Sequence, residues 1–161
     1  MKGAKNMNKY EEMKERHQKE FDNFPMKFAF SDKQFKESME ALGLTEKDTD
    51  KVIGIGAGGF IRKSDLKAYT EMCQRTAREM QDAINEDITG ENFIKDMFLY
   101  ELANHEYCIT YELEDTLEAV GLTIQEVENS KALKHGLVLA KREYLQMYLK
   151  ENSEEDEEEE M

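Results

Sequence analysis

Tyr10, Met13, His17, Phe21 and Phe24 recur at steps of three and four, while Glu11, Lys14, Glu15, Lys19 and Asp22 fill the other faces. That period predicts an amphipathic helix over 8–24. Pro25 stops it, because proline lacks an amide donor and restricts the residue before it. Met26 to Phe30 then alternates as a short extended segment, and Ser31 is placed to cap a second helix carrying Phe35, Met39 and Leu42. Gly43 ends that helix, since glycine adopts the left-handed conformation without a Cβ clash.

Residues Lys51 to Lys63 (KVIGIGAGGFIRK) contain four glycines, a β-branched run and no acid. They predict a tight hairpin of two strands, about Val52–Ile55 and Phe60–Arg62. Ser64 is then the expected cap of a long helix to about Asn85, striped by Leu66, Tyr69, Cys73, Ala77, Met80 and Ile84. Thr89-Gly90-Glu91 starts a helix whose apolar residues, from Phe93 to Ala103, cover too much circumference for a surface position, which places it at the centre of the fold. Tyr107 to Ile109 are expected to be extended, with Thr110 capping a helix that carries Leu113, Leu117 and Val120 and ends at Gly121. A last helix runs from about Ala132 to Lys150.

Met39-Glu-Ala-Leu-Gly-Leu-Thr45 matches Leu117-Glu-Ala-Val-Gly-Leu-Thr123. A duplicated unit explains this, and so does shared helix-stop chemistry with a Thr cap after it. The pattern as a whole predicts a mainly α fold, a compact bundle of five or six helices with a small β-hairpin at the glycine-rich loop. One domain is expected over 8–150, between a disordered start at 1–7 and a disordered acidic tail at 151–161.

Charge changes this picture at one end only. Glu151 to Met161 carry eight acids and no base, more than half of the net charge of −14 over 161 residues. The body is only mildly acidic, and a chain of that length buries roughly two thirds of its unfolded surface. Negative charge argues against direct binding to a nucleic-acid backbone. No stretch approaches the roughly 18 apolar residues that span a bilayer. Two cysteines without a pairing signature suit a reducing cytoplasm.

Three groups of residues bear on chemistry. Gly54, Gly56 and Gly59 formally satisfy GxGxxG, but a dinucleotide site needs a helix to start inside the motif, and here a strand comes next. With Gly58, Arg62 and Lys63 the same loop is the one locally cationic stretch, either a packing turn or an anion- or nucleotide-binding loop. Glu101 and His105 stand four apart on the central helix and can point the same way. They are candidate metal ligands for a metal-dependent enzyme if Asp96 or His17 joins them, and otherwise a helix-end histidine and its neighbour. Glu112, Glu114, Asp115 and Glu118 form an acidic face suited to a protein partner.

The segments KYEEMKERHQKEFDNFP, MKFAFSDKQF, IGIGAGGFIRKSD, NFIKDMFLYELANHEY and LEDTLEAVGLT resemble a family of small acidic proteins from gut Firmicutes, a domain of unknown function, over roughly Tyr10 to Tyr144. The resemblance implies a setting on conjugative elements and prophages, and carries no catalytic residue or cofactor. It implies an accessory role, with a basic nuclease of host defence as a protein partner. A compact acidic protein can block such a nuclease by presenting carboxylates where phosphates would lie.

Overall fold

A computed structural model describes residues 7–105, 107 and 112–159, the last six as backbone only. The described chain is mainly helical, with one small antiparallel sheet. Its elements are α1 (Lys9–Asn23), β1 (Met26–Phe28), α2 (Asp32–Ala41), β2 (Val52–Gly56), β3 (Gly59–Arg62), α3 (Leu66–Glu86), α4 (Phe93–Asn104), α5 (Glu114–Ala119), α6 (Ile124–Asn129) and α7 (Lys131–Glu159). The expected extended segment and cap at 108–110 lie outside the described residues, and Tyr107 is helical.

The structure divides into two compact units where the sequence suggests one domain. Arg16–Glu79 form a sheet-bearing unit, and the chain up to Glu15 joins Met80 onward in a helical unit. The division tracks the apolar side chains. Met39, Leu42 and Phe60 bury among themselves beside the sheet, while a larger separate cluster collects around α4.

In the sheet-bearing unit β3 lies between β1 and β2, both antiparallel to it, so the expected hairpin has gained a third strand. The turn is Ala57-Gly58, both with positive φ (52° and 78°), the two-residue geometry that matches strand twist. Phe21 of α1 and Phe24 just after it meet Tyr69 of α3 edge to face, with ring centroids 6.5 and 5.6 Å away. Ser31 accepts a hydrogen bond from the Gln34 amide and caps α2 as expected. Ser64 caps nothing, because it lies inside a 3-10 turn, Lys63–Asp65, that leads into α3.

The two matching heptapeptides share one backbone device. Leu44 donates to the Met39 carbonyl and Gly43 to Glu40; Leu122 donates to Leu117 and Gly121 to Glu118. Each is a helix stop with glycine in the left-handed region (φ 78° and 71°) and an apolar pair across it. Beyond the stop the two copies diverge. Thr45 leads to β2, whereas Thr123 forms a reciprocal capping box with Glu126 and starts α6.

The helical unit is built around α4. Phe93, Ile94, Met97, Phe98 and Leu102 are buried, as the unbroken apolar run predicts. The start of α4 is held from a distance: Asp87 accepts hydrogen bonds from the amides of Gly90, Asn92 and Ile94 at 3.1, 3.0 and 2.9 Å. Burial pushes the Asp87 carboxyl up, but these amides outweigh it and hold the group below the usual carboxylate range. The turn so formed lies directly on α7. A Cβ on Gly136 would be 2.5 Å from Ile94 Cγ2 and 2.6 Å from the Gly90 carbonyl oxygen, so α7 can reach α4 only with glycine there. Ser130 accepts from the Leu133 amide at the head of α7.

The sequence pattern predicts an end to this helix near Lys150, with a disordered tail beyond; α7 instead continues to Glu159. Glutamate is a good helix former, and extending an existing helix avoids the cost of nucleation.

This packing makes two predictions. Gly→Ala inside an exposed helix stabilises by about 1 kcal/mol. Gly136→Ala is expected to do the reverse, lowering stability by about 1–3 kcal/mol through overpacking, as measured by urea unfolding. In the sheet-bearing unit Glu79 accepts from His17 at 2.7 Å, Arg16 at 2.8 Å and Arg75 at 3.0 Å. These contacts, His17 first, lower its pKa from 4.5 to about 2. The carboxylate therefore stabilises the fold fully above about pH 4.5, and loses that contribution as pH falls toward 2. Melting curves of Glu79→Gln should run below the parent at neutral pH and converge with it across that window.

Candidate functional site

The glycine-rich loop is explained by its neighbours. A Cβ on Gly58 would lie 2.6 Å from the Phe30 ring, and one on Gly59 would lie 2.8 Å from the Phe28 ring. The glycines thus seat two aromatic side chains of the β1 segment, and Ala29 donates to the Gly58 carbonyl at 3.1 Å. Strand β3, not a helix, starts at Gly59, so Gly54, Gly56 and Gly59 form no dinucleotide-binding turn. Arg62 and Lys63 lie at the other end of β3 from Gly58 and Gly59, about 10 Å away at the usual rise of a strand. Arg62 is also engaged: its Nε donates to Asp65 at 2.8 Å and its Nη1 to the Leu42 carbonyl oxygen at 3.4 Å, just past the C-terminus of α2. The loop glycines and the two cations do not converge.

Glu101 and His105 do come together, in different company from that expected. Glu101 is fully buried on α4. Its Oε1 accepts from the Tyr10 hydroxyl at 2.5 Å and from the Lys14 ammonium, both on α1, while Oε2 lies 3.3 Å from His105 Nε2. Lys14 also stands 4.8 Å from the centroid of the Tyr100 ring, a cation–π contact. Burial first, and then the hydrogen bond to Glu101, push the Tyr10 hydroxyl far above its ordinary value, so it remains a donor. Among the described residues no group of three His, Cys, Asp or Glu could hold a metal ion. His17 meets Glu79 instead. The arrangement is that of a buried carboxylate whose Oε1 is filled by a lysine and a hydroxyl, while Oε2 and His105 Nε2 are buried without a hydrogen bond. Lys14 and Tyr10 give no sequence signal for this, since 87 and 91 residues separate them from Glu101.

Glu112, Glu114, Asp115 and Glu118 are all exposed, the middle two in the first turn of α5, where negative charge also favours the helix. Charge is partitioned between the units in a way composition conceals. The sheet-bearing unit carries a net +1, and the helical unit with its acidic extension carries −15.

Residues 9–143 match the model of a family of unknown function, DUF7659. The chain belongs to that family. No curated protein and no solved structure matches it. The DUF7659 region takes in the hairpin, the Glu101 cluster and α5, and stops short of the acid run from Glu151. No helix among the described residues is long and apolar enough to cross a membrane.

The Glu101 cluster makes a double-mutant test. Lys14→Met leaves the buried carboxylate with the Tyr10 hydroxyl alone on Oε1 and, because Lys14 is itself 41% exposed, is expected to cost about 1–3 kcal/mol. Glu101→Leu combined with Lys14→Met should recover much of that loss, because neither charge is then left alone. Denaturant unfolding of both variants reads the coupling.

Proposed function

We propose that this DUF7659 member is a non-enzymatic protein-interaction module of a mobile genetic element, acting in the cytoplasm as an inhibitor of a basic defence nuclease. The observation that carries this reading is the segregation of charge: the whole negative excess lies on the helical unit. Exposed carboxylates at Glu114, Asp115 and Glu118 stand on α5, and the acid run continues α7 beyond Lys150. A rigid helical surface of this kind competes for the lysine- and arginine-lined channel of a nuclease. The mobile-element setting is part of the proposal and is what the resemblance of the sequence segments implies.

The test is a titration of the full chain into cleavage reactions of RNA-guided and restriction nucleases. Cleavage should fall near equimolar protein, and binding of the chain to the nuclease, measured without substrate, should weaken as salt shortens the screening length from about 10 Å at 0.1 M toward 3 Å at 1 M. Replacing Glu114, Asp115 and Glu118 by their amides should weaken inhibition with little change in melting temperature. Unimpaired cleavage at saturating protein rejects the proposal.

A further inference from the structure

The turn between α3 and α4, α6 and the head of α7 line an open groove of about 570 Å³ on the helical unit. That is within the roughly 300–1,000 Å³ of sites that enclose a ligand group. Its floor is apolar, made by Ile84, Ile94, Leu122 and Leu133, all buried, and Glu126 stands at its edge. Ile88 also lines it and is 86% exposed. A single exposed apolar residue is ordinary on a protein surface. Here it stands beside an apolar floor, on a turn that cannot relax. Asp87 before it takes three backbone amides, and a Cβ on Gly90, two residues after it, would lie 1.9 Å from the Ala132 carbonyl oxygen. An isoleucine held outward on so fixed a turn gives up little freedom when covered, which is the advantage of a preorganised contact.

Charge names the occupant. Of the exposed acids on the elements that form the groove, Glu126 on α6 lines it, and Asp82 and Glu86 on α3 and Glu128 on α6 adjoin its lining residues in sequence, while Glu91 on the turn pairs with His135 at 3.0 Å. Lys131 and Lys134 on α7 oppose them, leaving an acid excess in a unit of net −15. We infer that this groove is a docking site for a basic amphipathic helix of a protein partner, which inserts a large apolar side chain beside Ile88 and sets its lysines or arginines against the acids of α3 and α6. The inference rests on the interaction-module reading and adds an apolar anchor to it. Charge speeds and orients the encounter, and the anchor slows release.

Two synthetic peptides of identical lysine and leucine composition test this on the full-length chain, one with leucines at helical spacing and one scrambled so that no apolar face forms. The patterned peptide should bind saturably and shift the methyl resonances of Ile84, Ile88 and Ile94. Ile88→Ser, which leaves charge unchanged at an exposed position, should weaken that binding about tenfold, the scale of losing one apolar contact. Equal binding of both peptides, unaffected by Ile88→Ser, overturns the groove while leaving the acidic-surface reading intact. Absence of binding by either peptide overturns the groove, and the nuclease titration then decides the acidic surface separately. A concentration-dependent dimer lost in Ile88→Ser overturns the proposal by giving the face to a second copy of the chain.

Discussion

A carboxylate that accepts three backbone amides at once leaves the turn around it almost no freedom, and Asp87 does this at the point on which the helical unit depends. The first amides of a helix have no partner inside it. In α4 the Ile94 amide is satisfied by a residue that precedes the helix by six positions, so the turn and the helix start form one hydrogen-bonded object. Gly90 and Gly136 then let that object touch the backbone of α7, with no room for a Cβ on either side. The close approach brings Ile94 and Met97 within the cluster that also holds Leu133, Leu137 and Ala140 of α7. Burial of that cluster is the main source of stability in the unit, and it requires the two helices to be this close.

Elements whose evidence is local were legible in the sequence. The period of α1, the Ser31 cap, the stop at Gly43 and the apolar circumference of α4 each depend on residues within a few positions of one another. The repeated heptapeptide was legible as helix-stop chemistry, though only the pair of hydrogen bonds at each copy shows how fully that chemistry accounts for it. What the sequence hides is distant pairing. Nothing near Glu101 announces Tyr10 or Lys14, and the i, i+4 spacing to His105 draws attention to the longer of its contacts. Gly136 reads as a weak point in a helix until the Gly90 carbonyl is found against it. The glycine run at 54–59 suggests phosphate because such loops bind it, whereas Phe28 and Phe30 require the missing Cβ atoms for steric reasons.

The division of charge arises from the same separation of roles. Acids within the sheet-bearing unit are engaged locally: Glu79 and Glu20 with arginines, Asp65 with Arg62, Asp48 with the Thr45 amide. Its net charge of +1 comes from twelve bases against eleven acids. The helical unit has no comparable supply of bases. It places one carboxylate inside, where a lysine and a hydroxyl hold it, and another, Asp87, on backbone amides. Glu114, Asp115 and Glu118 of α5 are exposed, and Glu126 of α6 caps its own helix with Thr123.

Repulsion among so many surface carboxylates destabilises a compact state, and salt relieves only part of it. The tightly packed α4–α7 contact offsets that repulsion. The fixed turn at Asp87 and the close approach at Gly136 keep that contact tight. They hold the predominantly acidic exterior of the unit on a fixed core. A flexible acidic chain must lose conformational freedom on meeting a cationic partner, whereas a rigid one has lost it already on folding. The constraint that builds the helical core is in this way also the one that fixes where its exposed carboxylates stand.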